Sequence, residues 1–82
     1  MEDLINHPSH YTSKGIEPID YIESHVMNFN CGNVIKYVTR AGEKVLPGET
    51  PEEAYIRDMK KAAWYCQREV ERVENRRHLA EE

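Results

Sequence analysis

The sequence is most informative at first for what it lacks. It has only two cysteines, Cys31 and Cys66, and no apolar run approaching the roughly 18 residues that a membrane-spanning helix needs. Both cysteines fall in segments expected to be packed helix, and no secretory apolar region follows Met1. We therefore expect reduced thiols, no disulfide framework and no membrane span, in a cytoplasmic protein.

The motifs of common enzyme classes are also missing. The sequence contains no G-x-x-x-x-G-K-[ST] phosphate loop and no G-x-S-x-G nucleophile turn, which excludes conventional P-loop kinases and serine hydrolases of that type. His7 and His10 form an H-x-x-H pair, but Pro8 keeps them off a helix and no third ligand has suitable spacing. We expect no metal site there. An alternative is that this arm folds over a pocket and contacts a ligand.

Charge is distributed unevenly along the chain. The net charge is −4, whereas a general nucleic-acid-binding protein is usually basic. Residues 31–48 carry a net positive charge, because they contain three bases, Lys36, Arg40 and Lys44, and a single acid, Glu43. Such a local positive patch suits a small anionic ligand better than a long polyanion, so nucleic acid is not the expected partner.

The hydrophobic pattern predicts an all-α fold with one globular domain over residues 17–78. Residues 1–16 read as an extended arm, and residues 79–82 as a frayed charged tail. The first short helix begins near Pro18 and ends around Asn28–Asn30, since Pro is favoured at the first helical position. A turn at Gly32 is expected to separate it from the second short helix, Asn33 to Ala41, which Gly42 ends.

The third predicted helix is long. Thr50 and Glu53 form a capping box around Pro51, and the helix can run to about His78, roughly 40 Å at 1.5 Å per residue. Its apolar residues are spaced as a heptad seam and are Ile56, Met59, Ala63, Cys66, Val70 and Val73. Two shorter helices cannot cover that length, so we expect a helical homo-oligomer formed through helix 51–78.

The second helix carries the first candidate binding stripe. Asn33, Lys36, Tyr37 and Arg40 share one face of it by their spacing. The two cations can hold an anion, most simply a nucleotide phosphate, and backbone N–H groups at the expected helix start near Asn33 would reinforce that preference. The alternative is an ordinary solvated face.

The third helix carries a second polar stripe of Asp58, Lys61, Tyr65 and Arg68. Lys61 can bind a phosphate, and Asp58 can position Mg²⁺ or a sugar hydroxyl. The alternative is an exposed Asp58–Lys61 pair worth a few tenths of a kcal/mol.

Several blocks of the sequence also form a recognisable pattern, and they are His7-Pro8-x-His10-Tyr11, Gly15 to Ile22, Gly32 to Lys44 and Asp58-x-x-Lys61-Ala62-x-Trp64-Tyr65. The pattern resembles a small bacteriophage family labelled nucleotide kinase or SaV-like, and it is similar to part of the T7-type phage nucleotide kinase. The resemblance implies a common nucleotide site formed by His7, Tyr11, Asn33, Lys36, Tyr37, Arg40, Lys44, Asp58, Lys61 and Tyr65. It also implies a phage protein located in the host-cell cytoplasm.

Three functions follow as expectations. The first is nucleotide binding between the second and third helices, with deoxynucleoside monophosphate kinase activity in which Mg²⁺-ATP is the cofactor and Asp58 and Lys61 are catalytic. The second is a non-catalytic protein that sequesters a nucleotide or binds a host protein, with no cofactor. The third is a structural adaptor that uses the seam and leaves both polar stripes solvated.

Overall fold

The computed structural model describes residues 15–81, with side chains described for residues 15–77, and it confirms the all-α fold class. The described chain contains three helices and no strand: α1 (Pro18–Ser24), α2 (Phe29–Thr39) and α3 (Pro51–Glu81). The expectations for His7, His10 and Tyr11 lie outside the described residues. None of the helices within residues 15–81 combines the length and apolarity required to cross a membrane.

Helix α1 begins where the sequence predicted but ends earlier. Pro18 occupies the first turn, as expected, and the helix stops at Ser24 rather than near Asn28. The backbone then turns through Val26, whose φ of 51° is left-handed and cannot continue a helix. The prediction was wrong at this end because Asn28 starts the next helix instead of ending this one.

Helix α2 begins at Phe29, four residues before the expected start at Asn33. Asn28 is its N-cap, and the Asn28 side chain accepts a hydrogen bond of 2.9 Å from the Cys31 backbone N–H. Gly32 is therefore inside the helix rather than at a turn, and it is buried. A Cβ at Gly32 would lie 3.2 Å from Cγ2 of Ile22, so the glycine permits close packing of α1 on α2.

Helix α2 ends near the predicted residues. Its last helical residue is Thr39, two residues before the expected end at Ala41, and Arg40 is its C-cap. Gly42 then has a φ of 79°, which fits the expected role of a glycine that ends a helix.

The capping box of α3 is formed as the sequence predicted. The Thr50 N–H donates to Oε1 of Glu53 at 2.8 Å, and the Glu53 N–H donates to Oγ1 of Thr50 at 3.1 Å. The first of these bonds lowers the pKa of Glu53. The helix has 31 residues and ends at Glu81 rather than His78, so it is about 46 Å long at 1.5 Å per residue.

The face of α3 that packs on α2 differs from the heptad seam. Ala54 and Ala62 are 0% and 4% exposed and are the buried hydrophobic residues of the described chain. Asp58 lies between them at 7% exposure. The seam is instead exposed along its whole length, at Ile56, Met59, Ala63, Cys66, Val70 and Val73. The heptad spacing therefore marks an outer surface of α3 in the single chain.

Candidate functional site: a cation-lined pocket

A pocket of about 570 Å³ lies where the C-terminal half of α2 faces the first half of α3. Five cationic side chains line it, together with two carboxylates, one tyrosine and one leucine. The lining residues are Lys36, Tyr37, Arg40, Glu43, Lys44, Leu46, Arg57, Asp58 and Lys61. Cations therefore outnumber carboxylates in this pocket, although the chain as a whole has a net charge of −4.

Most residues of the predicted site meet in this pocket. The structure places the stripe of α2 opposite the stripe of α3, and the loop between the helices adds Lys44. The predicted residues that line the pocket together are Lys36, Tyr37, Arg40, Lys44, Asp58 and Lys61. The binding role of each of these residues stays a prediction.

The Tyr37 ring lies close to lysine ammonium groups from both helices. Lys36 Nζ lies 5.2 Å from the centroid of the Tyr37 ring, and Lys61 Nζ lies 5.3 Å from it. These distances are typical of cation–π interactions. Tyr65 does not line the pocket, but its ring is stacked with Tyr37 at 5.9 Å and 11°. The aromatic pair therefore keeps two ammonium groups beside the pocket.

Asp58 fixes the backbone at the end of α2. Its Oδ2 accepts a hydrogen bond of 3.0 Å from the Gly42 N–H, and its Oδ1 lies 3.6 Å from Nη1 of Arg57. A Cβ at Gly42 would lie 3.2 Å from Cβ of Tyr55, so the glycine is needed for this close approach to α3. Asp58 thus uses both carboxylate oxygens within the protein.

Arg57 is a pocket residue that the sequence interpretation missed. Its Nε donates to Oε2 of Glu49 at 2.9 Å, and its Nη2 donates to the Lys44 carbonyl oxygen at 2.7 Å. These bonds tie the loop that carries Lys44 to α3. The available signal was the spacing of Arg57, one helical turn before Lys61, which extends the predicted stripe by one residue.

Asn33 lies outside this pocket. Its Nδ2 donates to the Phe29 carbonyl oxygen at 2.9 Å, one turn earlier in α2. The expected helix-start N–H groups near Asn33 are also wrong, since α2 begins at Phe29 and the Gly32 N–H donates to the Asn28 carbonyl oxygen at 2.9 Å. Asn33 instead lines a second, more apolar groove of about 280 Å³ between α1 and α2.

A second polar contact between α2 and α3 lies outside the pocket. Glu69 accepts hydrogen bonds from Asn28 at 2.8 Å, from Asn30 at 3.1 Å and from Arg72 at 2.7 and 2.9 Å. The Arg72 bonds are the main reason that the pKa of Glu69 falls to about 2, with Asn30 and Asn28 contributing. This cluster anchors the start of α2 to the middle of α3.

The described side chains include no group of three or more His, Cys, Asp or Glu residues arranged to hold a metal ion. The fold and the pocket together define a small all-α domain with a cation-lined surface site. The chain belongs to the family described as "Protein of unknown function (DUF3310)", whose model matches residues 5–67. No curated protein and no solved structure matches the chain.

This family assignment corrects one expectation from the sequence. The resemblance to a phage nucleotide kinase or SaV-like family is wrong, because the matching model carries no assigned function and nothing in the comparisons links it to a nucleotide kinase. The expectation of a phage protein has no support from the comparisons either. The residues identified by helical spacing remain candidates for a binding site, because their chemistry and position do not depend on that resemblance.

Proposed function

We propose that this protein binds a small phosphate-bearing molecule, with a nucleotide as the expected form, in the cation-lined pocket between α2 and α3. The observation that carries the proposal is the excess of cations over carboxylates in one cavity of an acidic chain. Like charges repel when they are brought together, so a bound anion stabilises such an arrangement.

Three of the pocket cations contact other side chains of the protein. Lys36 and Lys61 come from different helices, yet both lie against the Tyr37 ring. Arg57 is held by Glu49, on the loop side of the pocket. Side chains that are already ordered lose less conformational entropy when a ligand binds, which favours affinity.

Binding is better supported than phosphoryl transfer. Asp58 is the residue expected to position Mg²⁺ or an acceptor, and its carboxylate oxygens already contact the Gly42 N–H and Arg57. Kinase activity with Mg²⁺-ATP was expected chiefly from the resemblance that is now withdrawn. We therefore propose a non-catalytic binding protein, for which sequestration of a nucleotide is a sufficient function.

Isothermal titration calorimetry with nucleoside mono-, di- and triphosphates tests this proposal. The variant K61A removes a pocket cation, whereas K60A removes the neighbouring exposed lysine outside the pocket lining and serves as the matched control. We expect wild type and K60A to bind a nucleotide and K61A to bind it about tenfold more weakly, which corresponds to about 1.4 kcal/mol.

The double variant K36A/R40A should abolish nucleotide binding while the far-ultraviolet circular dichroism stays helical. Absence of nucleotide binding to the wild type, or equal affinities of K60A and K61A, would contradict the pocket as the site. Diphosphate formation from a deoxynucleoside monophosphate and Mg²⁺-ATP would instead establish catalysis and overturn the non-catalytic role.

We also propose that the chain self-associates through the exposed seam of α3. Val70 and Val73 are 49% and 41% exposed, and they continue a heptad spacing that begins at Ile56. A second copy presents the same spacing, so the two seams can pack as a coiled coil and cover each other. A partner with an unrelated surface would not match this repeat.

Sedimentation equilibrium at tens of micromolar tests self-association. We expect an oligomer for the wild type and a monomer for V70D, which places a charge in the seam. The control V45D changes a similarly exposed valine, 44% accessible, in the loop between α2 and α3. A monomeric wild type, or equal effects of V70D and V45D, would contradict the proposal.

A further inference from the structure

We infer that the pocket selects its ligands by the number of linked phosphate groups, and that it takes a chain of two or more phosphates while the rest of the ligand lies outside. This inference rests on the proposed function and specifies its ligand class. Three features carry it: the arrangement of the cations, the state of the one aromatic ring that residues 15–77 contribute to the pocket lining, and the local charge balance.

The cations form two facing rows. Lys36 and the C-cap residue Arg40 lie four residues apart at the end of α2, and Arg57 and Lys61 lie four residues apart on α3. Each pair spans about 6 Å along its helix axis, at 1.5 Å per residue. Linked phosphates can extend between both ends of the two rows, whereas a single phosphate group can reach all four cations only if their side chains are drawn together.

The loop residue Lys44 adds a fifth cation to the lining. Its backbone carbonyl oxygen is bonded to Arg57, which fixes the loop while the Lys44 ammonium group remains a separate charge. The carboxylates in the lining are Glu43 and Asp58, and Glu49 pairs with Arg57 beside it, so the five cations exceed these three carboxylates by two. A ligand with several negative charges balances that excess better than a monophosphate does.

The aromatic ring in the pocket is already engaged. Two ammonium groups and the stacked Tyr65 ring contact Tyr37, so a nucleobase would have to displace part of this arrangement in order to stack there. Leu46 is the remaining large apolar side chain of the lining, and it is 37% exposed. The pocket therefore offers far more to phosphates than to a base.

Calorimetry at one fixed ionic strength tests this inference with three series of probes. The first contains inorganic phosphate, pyrophosphate and tripolyphosphate, the second contains AMP, ADP and ATP, and adenosine alone is the third. We expect affinity to rise by about tenfold or more from the monophosphates to the triphosphates, and tripolyphosphate to bind within about threefold of ATP. Adenosine should not bind.

The variant K44A adds a readout that depends on ligand length. Since Lys44 lies on the loop, outside the two helix rows, its loss should weaken tripolyphosphate binding about tenfold and phosphate binding much less, while K60A should change neither. Raising the salt concentration should weaken tripolyphosphate binding more steeply than phosphate binding, because more charge contacts are screened.

The outcomes separate this inference from the proposed function. AMP binding as tightly as ATP, or ATP binding more than about tenfold tighter than tripolyphosphate, would overturn the phosphate-counting inference and leave phosphate binding intact. No binding of any phosphate compound would overturn both. Binding that K61A and K44A leave unchanged would overturn the pocket as the site.

Discussion

The backbone N–H of Gly42 donates a 3.0 Å hydrogen bond to Oδ2 of Asp58, and this bond joins the end of α2 to the first half of α3. Asp58 is 7% exposed and Gly42 is half-buried, so the bond is partly shielded from water. Asp58 also lines the pocket, so the bond joins the two helices beside the two rows of cations.

Replacing Asp58 with alanine should destabilise the domain. The Gly42 N–H would lose its partner, and hydrogen bonds to charged groups contribute about 1.5–3 kcal/mol to the free energy of unfolding. Urea unfolding followed by circular dichroism measures this loss. The control E74A removes an exposed acid from the same helix and should cost under about 0.5 kcal/mol. Equal stabilities of the two variants would show that the bond contributes nothing.

Replacing Gly42 with alanine should cost more than the same change at Gly48. Both glycines have left-handed φ values, 79° and 86°, so each variant incurs a conformational cost of about 1–2 kcal/mol. A Cβ at Gly42 also lies 3.2 Å from Cβ of Tyr55, whereas nothing lies within 4 Å at Gly48. The difference between the unfolding free energies of G42A and G48A measures the cost of this contact. A G48A variant as unstable as G42A would contradict the packing explanation.

Replacing Val26 with asparagine should stabilise the domain by about 1 kcal/mol, because asparagine tolerates a left-handed backbone better than a β-branched residue. Val26 has a φ of 51° and is 88% exposed, so little packing is lost. Thermal and urea unfolding measure the gain. The control V45N changes an exposed valine without a left-handed φ and should be nearly neutral. A loss of stability in V26N would contradict the explanation from backbone strain.

The contribution of Glu69 to stability should disappear in acid. Its pKa falls from an ordinary 4.5 to about 2 in the folded state, chiefly through the Arg72 hydrogen bonds. A lowered folded pKa means that the stabilisation is complete above pH 4.5 and is lost as the pH falls through about 2. Wild type should therefore melt at a higher temperature than E69Q at pH 7, and the gap should close towards pH 2.

The control for this experiment is E74Q, which removes an exposed carboxylate of α3 with the same change in charge. Its melting temperature should follow that of the wild type across the titration. A gap between wild type and E69Q that stays constant from pH 7 to pH 2 would rule out the hydrogen-bonded carboxylate as its cause.

Local signals in the sequence predicted much of this fold. Pro18 at the start of α1 and the Thr50–Glu53 capping box act within one helical turn, so neighbouring residues suffice to identify them. The start of α2 was predicted wrongly because the residue types there, taken alone, are misleading. Asn28 and Gly32 are typical of turns, yet one is an N-cap and the other is a packing position whose requirement comes from Ile22, ten residues earlier.

Helical spacing predicted the candidate site in part. It placed Lys36 and Arg40 on one face of the second helix and Lys61 on a polar face of the third, and these residues line one pocket, whose binding role stays a prediction. It could not show that Asp58 bonds to Gly42 or that Arg57 bonds to the Lys44 carbonyl oxygen, because these contacts depend on how the loop returns to α3. The heptad seam identified a real apolar surface but not the face that packs on α2.

Because the apolar core is small, the pocket matters for the stability of the fold as well as for binding. Ala54 and Ala62 are the buried hydrophobic residues of the described chain, so α2 and α3 are joined by little apolar surface next to cations that repel each other. A ligand that binds the folded form alone raises its stability by mass action. Binding of the proposed ligand would therefore link occupancy of the pocket to persistence of the fold, and the lifetime of this protein in a cell would then follow the concentration of that ligand.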